Sequence, residues 1–164
     1  MNEIPGIRRP PYRVAVAEPH PVLCRGLCEM IARDRTVRIV ARIASVDDLH
    51  RRLDPGECDL LLLDSDLLGD SARLTGTGAG AGTPLRLPEI LAVDPARRVL
   101  VYTFSAGRAF LHHALESGVH GVLLKDEGLD QIPQAIAAIR RGGHWFSDRL
   151  LTQRQRPPSN RPPY

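Results

Sequence analysis

From Arg13 onward the chain alternates short apolar runs with amphipathic stretches, and the order repeats five times. Arg13-Val-Ala-Val-Ala17 reads as a strand, and Val22 to Arg33 reads as a helix with Pro21 near its first turn. Val37–Ala41 is the second strand, followed by a helix that Ser45 caps and that runs to about Leu53. Asp59-Leu-Leu-Leu-Leu63 is wholly apolar after its first residue and ends at Asp64, as a fully buried strand would. Leu87–Val93 is the third helix, Val99–Thr103 the fourth strand, Gly107–Ser117 the fourth helix and Gly121–Leu124 the fifth strand. Leu129–Arg141 is the last helix, and Gly142-Gly143 stops it.

Strands apolar on both faces, alternating with helices, predict an α/β fold: a doubly wound parallel sheet covered by helices on each side. The expected architecture is a flavodoxin-like (βα)5 unit with strand order 2-1-3-4-5. Residues 1–11 lack periodicity and read as a flexible N-terminal arm, with the domain proper at 12–148. Inside it, residues 65–84 contain TGTGAGAG and read as a long mobile loop. Residues 149–164 read as an extended Pro/Arg-rich linker tail.

The 164 residues suit one domain with peripheral tails. No apolar run approaches the roughly 20 residues that span a bilayer, and the N-terminus lacks a signal peptide's apolar stretch, so the expectation is a cytoplasmic protein with no membrane partner. Cys24, Cys28 and Cys58 form an odd set in a chain large enough to fold without staples, which argues for reduced thiols. The net charge of +3 misleads about the folded part, because Arg149, Arg154, Arg156 and Arg161 stand in the tail with no acid. Without these four charges, residues 1–148 carry −1. Of the 22 basic residues 21 are Arg, and the lone Lys is Lys125.

That lysine stands at a telling place. In a doubly wound sheet, ligands gather beyond the carboxyl ends of the strands, near the switch in strand order. The residues there are Glu18 after strand 1, Asp64 after strand 3, Thr103 after strand 4 and Lys125 after strand 5. Two carboxylates, a hydroxyl and an ammonium are the equipment for phosphoryl transfer to a carboxylate. Asp64 would be the nucleophile, with Thr103 and Lys125 binding phosphoryl oxygens and an acid helping to hold Mg²⁺.

AEPHP (17–21), DLLLLD (59–64), RVLVYT (98–103) and SGVHGVLLKD (117–126) resemble the receiver domain of NarL/FixJ-type bacterial response regulators. The resemblance covers about residues 12–148 and implies two-component signal transduction and transcription regulation, without free-standing enzyme activity. It maps Asp64 to the phosphoacceptor, Thr103 to the switch hydroxyl and Lys125 to the phosphoryl-binding lysine. GGHWFSDRLL (142–151) resembles the segment leading toward a C-terminal helix-turn-helix, a DNA reader expected to be absent from this chain. A homodimer and a histidine kinase are the implied partners.

The departures from the family pattern matter as much. Where such receivers carry two adjacent acids, this chain has Glu18-Pro19, and proline offers no metal ligand. Mg²⁺ demands near-ideal octahedral oxygen coordination, so a site made of Glu18, Asp64 and Asp66 is expected to be weak or absent. Val122 stands where an aromatic often accompanies the switch hydroxyl. The expected function is therefore an atypical receiver with phosphorylation reduced or absent. Its alternatives are a conventional Asp64 phosphoacceptor and a domain in which the long glycine loop senses a small ligand.

Other candidates carry less. GTGAGA (76–81) matches a dinucleotide-binding pattern by letters, but it does not follow a strand directly. His112 and His113 are adjacent on a helix and cannot face one ligand together. His20 is expected to pack at the start of the first helix, and Ser105 to be loop. Ile132, Ile136 and Ile139 lie at helical spacing and lend loose support to a dimer face on the last elements of the domain, or on helices 1 and 5.

Overall fold

Six parallel strands are built around the leucine-rich run in the middle of the chain. β3 (Leu60–Asp64) is buried at every position, flanked by β1 (Tyr12–Ala17) on one side and β4 (Arg98–Thr103) on the other. β2 (Val37–Ile43) forms one edge, and β5 (Gly121–Leu124) extends the other, followed by β6 (Trp145–Phe146). The order β2-β1-β3-β4-β5-β6 is the expected 2-1-3-4-5 with one strand added. The computed structural model describes residues 10–68, 87–104 and 106–153. Most of the expected arm, loop positions 69–84 with GTGAGA, Ser105, and the tail beyond 153 lie outside the described residues.

Period-two alternation sends successive side chains of each strand to opposite faces. Ala15, Ala17, Leu61, Leu63, Val99, Val101, Val122 and Leu124 share one layer with residues of α2 (Val46–Arg52), α3 (Leu87–Val93) and α4 (Arg108–Ser117). Val14, Val16, Leu60, Leu62, Leu100, Tyr102 and Leu123 share the other with α1 (Pro21–Ile31) and α5 (Gln131–Arg140). Burying an aliphatic side chain of this size contributes about 2 kcal/mol, so these two layers supply the main driving force. Cys24, Cys28 and Cys58 are free and buried within the layers, as reduced thiols behave. Among the described residues no helix is long and apolar enough to cross a membrane.

Three features differ from the expectation. β2 is not apolar on both faces: its burial alternates, with Arg38, Val40 and Arg42 facing outward, because an edge strand needs only one covered face. The segment after the last helix adds β6 to the sheet, pairing Gly121 with Trp145 and Val122 with Phe146. Gly121 permits this approach, since a Cβ there would lie 2.4 Å from the Trp145 carbonyl oxygen. Residues 149–153 of the expected linker are instead helical: Asp148–Gln153 form α6, and Leu150 is fully buried against the α4 layer. Ser147 joins these elements to β5, its Oγ accepting from the Leu124 N–H at 3.0 Å.

Candidate functional site

The parallel register brings the strand ends level. Ala17 of β1 pairs with Leu63 of β3, Asp64 with Tyr102 of β4, and Thr103 with Leu124 of β5. The residues that follow, Glu18 and Lys125, therefore reach the same corner as Asp64 and Thr103, at the switch point between β1 and β3. Glu18, Asp64 and Thr103 are all buried.

Lys125 closes the corner. Its Nζ donates to Asp64 Oδ2 at 2.5 Å and to Glu18 Oε2 at 3.2 Å, and its side chain is 2% exposed. Its charge also lies 5.2 Å from the centre of the Tyr102 ring and 4.8 Å from that of Phe104, within cation–π range. Phe104 itself is 67% exposed, so it covers the ammonium from the solvent side. Asp64 also caps the 3-10 turn Ser65–Leu67, its Oδ1 accepting from the Asp66 N–H at 3.0 Å. The Ser65 hydroxyl donates to Thr103 Oγ1 at 2.9 Å, which ties the switch-position hydroxyl to that turn.

Two buried carboxylates share one ammonium, and their protonation diverges accordingly. Burial and the neighbouring Glu18 carboxyl push Asp64 up to about 6, against the pull of Lys125 and the Asp66 N–H. Burial also acts on Glu18, but the hydrogen bond from Asp64, two from His20 and the charge of Lys125 outweigh it and hold Glu18 below its ordinary value. Like charges this close cannot both ionise freely. Glu18 is thus the anion of the pair and Asp64 the group poised to hold a proton.

His20 belongs to this corner as well. Its backbone N–H donates to Glu18 Oε1 at 2.9 Å, and its Nδ1 lies 2.7 Å from the same oxygen and 3.9 Å from Asp64 Oδ2. It holds the N-cap position of α1 without a side-chain cap bond, so the ring is spent on Glu18 and not on the helix. Among the described residues, Glu18, His20 and Asp64 are the group whose metal-ligating atoms all lie within 4.8 Å of one another.

The expected set of Glu18, Asp64 and Asp66 is arranged differently. Asp66 contributes its backbone N–H to Asp64 while its side chain is exposed, and it does not join the three clustered ligands. Pro19 supplies no donor, and the cluster holds an imidazole nitrogen and a bound ammonium where Mg²⁺ would seek oxygens. These residues do not fit that hard cation.

Two residues of this corner escaped sequence reasoning. His20 stands between two prolines, which signals a restricted backbone, but the direction of its ring is not written in the pattern. Phe104 directly follows Thr103 and supplies the aromatic cover that Val122, buried inside β5, does not. His112 pairs with Glu116 at 3.2 Å on the exposed face of α4, away from any cluster. Ile132, Ile136 and Ile139 all face the sheet and are buried, so they are core and lend nothing to a dimer face.

No protein-family model matches the chain. Over 143 residues it is 29% identical to the nitrate/nitrite response regulator protein NarP of Escherichia coli (strain K12), covering 85% of this chain and 60% of that protein. Identity to the methanol utilization control regulatory protein MoxX of Paracoccus denitrificans is 27%, covering 87% of this chain and again 60% of the relative. The chain thus spans about 60% of the length of the curated regulators it matches. Among solved structures, the isolated REC domain of RcsB from Salmonella enterica serovar Typhimurium, obtained with phosphomimetic BeF3⁻, shares the fold with a TM-score of 0.67. That match, at 19% identity, covers 87% of this chain and 98% of the REC domain. In its strand order the chain has the fold of these receiver domains, and in sequence it is similar to response regulators of the NarL/FixJ type.

Proposed function

We infer that this receiver is an atypical signal-input module of a transcription regulator, in which phosphorylation of Asp64 is reduced or absent. The observation that carries the reading is the Lys125 ammonium bonded to both Asp64 and Glu18, beside a Pro19 that offers no metal ligand. Phosphoryl transfer depends mostly on positioning and on neutralising charge at the acceptor. Here the charge is already neutralised from within, and Phe104 covers the ammonium that would otherwise meet a phosphoryl oxygen.

Incubation with a small phosphodonor and Mg²⁺, read by intact-mass spectrometry, tests this. The expected labelling of the unmodified chain is at least about tenfold slower than that of its Pro19→Asp variant, a difference of about 1.4 kcal/mol in barrier. Rapid stoichiometric labelling at Asp64 without the substitution would sink the reading.

One observation favours the conventional alternative, that Asp64 is an ordinary phosphoacceptor with weak Mg²⁺ assistance. Asp64, Thr103 and Lys125 are all gathered at the strand ends, so the phosphoryl-binding groups survive even though the metal corner is altered. In either case the signal would come from a histidine kinase or another input. Duplex DNA would be read by a helix-turn-helix elsewhere in the regulator, and a cytoplasmic setting goes with both readings. The chain is also expected to form homodimers, with little dependence on Asp64. Light scattering at ~100 μM, above weak dimer affinities of micromolar order, should show mass rising with concentration. A constant monomer mass would count against dimerisation.

A further inference from the structure

At the amino ends of the strands, across the sheet from the Asp64 corner, one histidine ties three strands together. His120 immediately precedes β5. Its N–H donates to the Val99 carbonyl of β4 at 2.8 Å, and its own carbonyl accepts from the Trp145 N–H of β6 at 3.0 Å. The side chain adds a third bond, because its Nδ1 accepts from the Val99 N–H at 3.1 Å, where a strand would offer a backbone carbonyl. An imidazole that accepts at Nδ1 carries its single hydrogen on Nε2 and is neutral. The half-buried ring stacks on His144 at 5.9 Å, and His144 stacks on Phe146 of β6 at 6.5 Å. The seat that β6 occupies is imperfect. Trp145 Nε1 is buried without a hydrogen-bond partner, a cost that contact with water would remove.

We propose that His120 is an acid-released latch: its neutral ring joins β4 to β5 and seats β6 and α6, and a proton taken up at Nδ1 from solvent frees those last two elements from the sheet. Once Nδ1 carries hydrogen it cannot accept, so the Val99 N–H loses its partner and faces a second donor. The ring must then turn away, and the His120 carbonyl that holds Trp145 moves with it. Arg98 at the start of β4 and His144 ahead of β6 are the charged and titratable groups that act on His120, and among the described residues no carboxylate of α4 or α6 pairs with it. Burial, Arg98 and His144 together hold His120 down at about 4. Released into water, the ring returns to its ordinary value of 6.5. Between those values the seated form binds fewer protons than the released one. Release therefore grows as the pH falls from about 6.5 to about 4, and it is suppressed above that window. The chain continues from α6 toward Tyr164, so acid loosens the segment through which it leaves the domain.

Backbone hydrogen exchange of the full chain, normalised to the intrinsic exchange rate at each pH, tests the latch at the amides of Trp145 and Ser147, which donate to His120 and Val122. Their protection should fall about 30-fold between about pH 7.5 and pH 5, the ratio that follows from a group at about 4 when seated and 6.5 when released. In His120→Gln, whose side-chain oxygen can accept from the Val99 N–H at every pH, the fall should be less than about threefold. Equal losses in the two proteins, or none in the unmodified chain, overturn the proposal. Loss of protection to the same level at Leu61, Leu62 and Leu63 of β3 would mean whole-domain unfolding and would overturn it too. A second measurement needs no variant: in an NMR titration of the unmodified chain the His120 ring should titrate with a midpoint below about pH 5.5, and the Val99 amide resonance should move with it. A higher midpoint, or a Val99 amide that does not follow, contradicts the latch.

Discussion

Replacing Lys125 by Met should lower the stability of the domain by about 3 kcal/mol near pH 7.5, the cost of removing one partner from a buried ionic cluster. Met keeps most of the volume and the packing against Tyr102 and Phe104, so the loss isolates the charge. What remains is two carboxylates, each 1% exposed, with no ammonium between them. The pH dependence follows from that. With Lys125 gone, Asp64 rises further above its already raised value, and a group raised in the folded state destabilises only above its unfolded value. The deficit of Lys125→Met should therefore be largest at neutral pH and shrink as the pH falls toward about 4, where Asp64 approaches protonation in both states. In urea unfolding, adding Asp64→Asn to Lys125→Met should recover the whole of the loss, about 1 kcal/mol more than the gain of about 2 kcal/mol that Asp64→Asn gives in the unmodified chain, a coupling that groups in direct contact show. A fully additive double variant would mean that Lys125 and Asp64 do not share the charge as described.

Asp64→Asn alone should stabilise the domain at neutral pH. Asp64 is pushed from 3.8 to about 6, chiefly by burial and by Glu18 beside it. Between those two values the folded protein binds more protons than the unfolded chain, so stability falls as the pH rises through the window, and the deficit is complete above about 6. Each tenfold rise in proton affinity is worth about 1.4 kcal/mol, so the full deficit is of order 2 to 3 kcal/mol. The Asn amide can donate to Glu18 as a protonated Asp64 does, and its carbonyl oxygen can accept from Lys125 or the Asp66 N–H. Glu18 and Lys125 then remain as a balanced pair. The gain should be about 2 kcal/mol near pH 7.5 and absent below about pH 4. His120 does not blur the comparison. Burial, Arg98 and His144 lower it to about 4, but it contributes equally to parent and variant and cancels in the difference. No gain at neutral pH would mean that Asp64 is comfortably ionised, as in a receiver ready for Mg²⁺.

Much of this architecture was legible because the signals are repetitive. Five strands follow from five apolar runs, and once the sheet is parallel the register itself carries Glu18, Asp64, Thr103 and Lys125 to one corner. β6 was not legible, because two residues, Trp145 and Phe146, are too few for a period and follow closely on Gly142-Gly143. α6 was hidden by composition: the Pro- and Arg-rich residues after Gln153 draw Arg149 to Gln153 into an apparent linker, although Leu150 supplies a core side chain. Within the corner, residue types were readable and side-chain directions were not. Asp66 stands at the right distance along the chain, but its carboxylate is exposed while its N–H serves Asp64. Sequence alone makes His20 a packing residue, yet its ring turns to Glu18 and makes no cap to a helix that begins with proline. Phe104 carries no motif, and only the position of Lys125 beneath it reveals its part.

The central claim is that Lys125 and Pro19 together leave Mg²⁺ no site at the phosphoacceptor corner. Titration of Mg²⁺ into the chain and into Pro19→Asp, followed by calorimetry, reads this directly. The unmodified chain should show no saturable binding up to about 10 mM, while Pro19→Asp, which restores a second carboxylate beside Glu18, should bind in the low millimolar range or tighter. Saturable binding below about 1 mM by the unmodified chain would contradict the account and return it to the ordinary phosphoacceptor receivers.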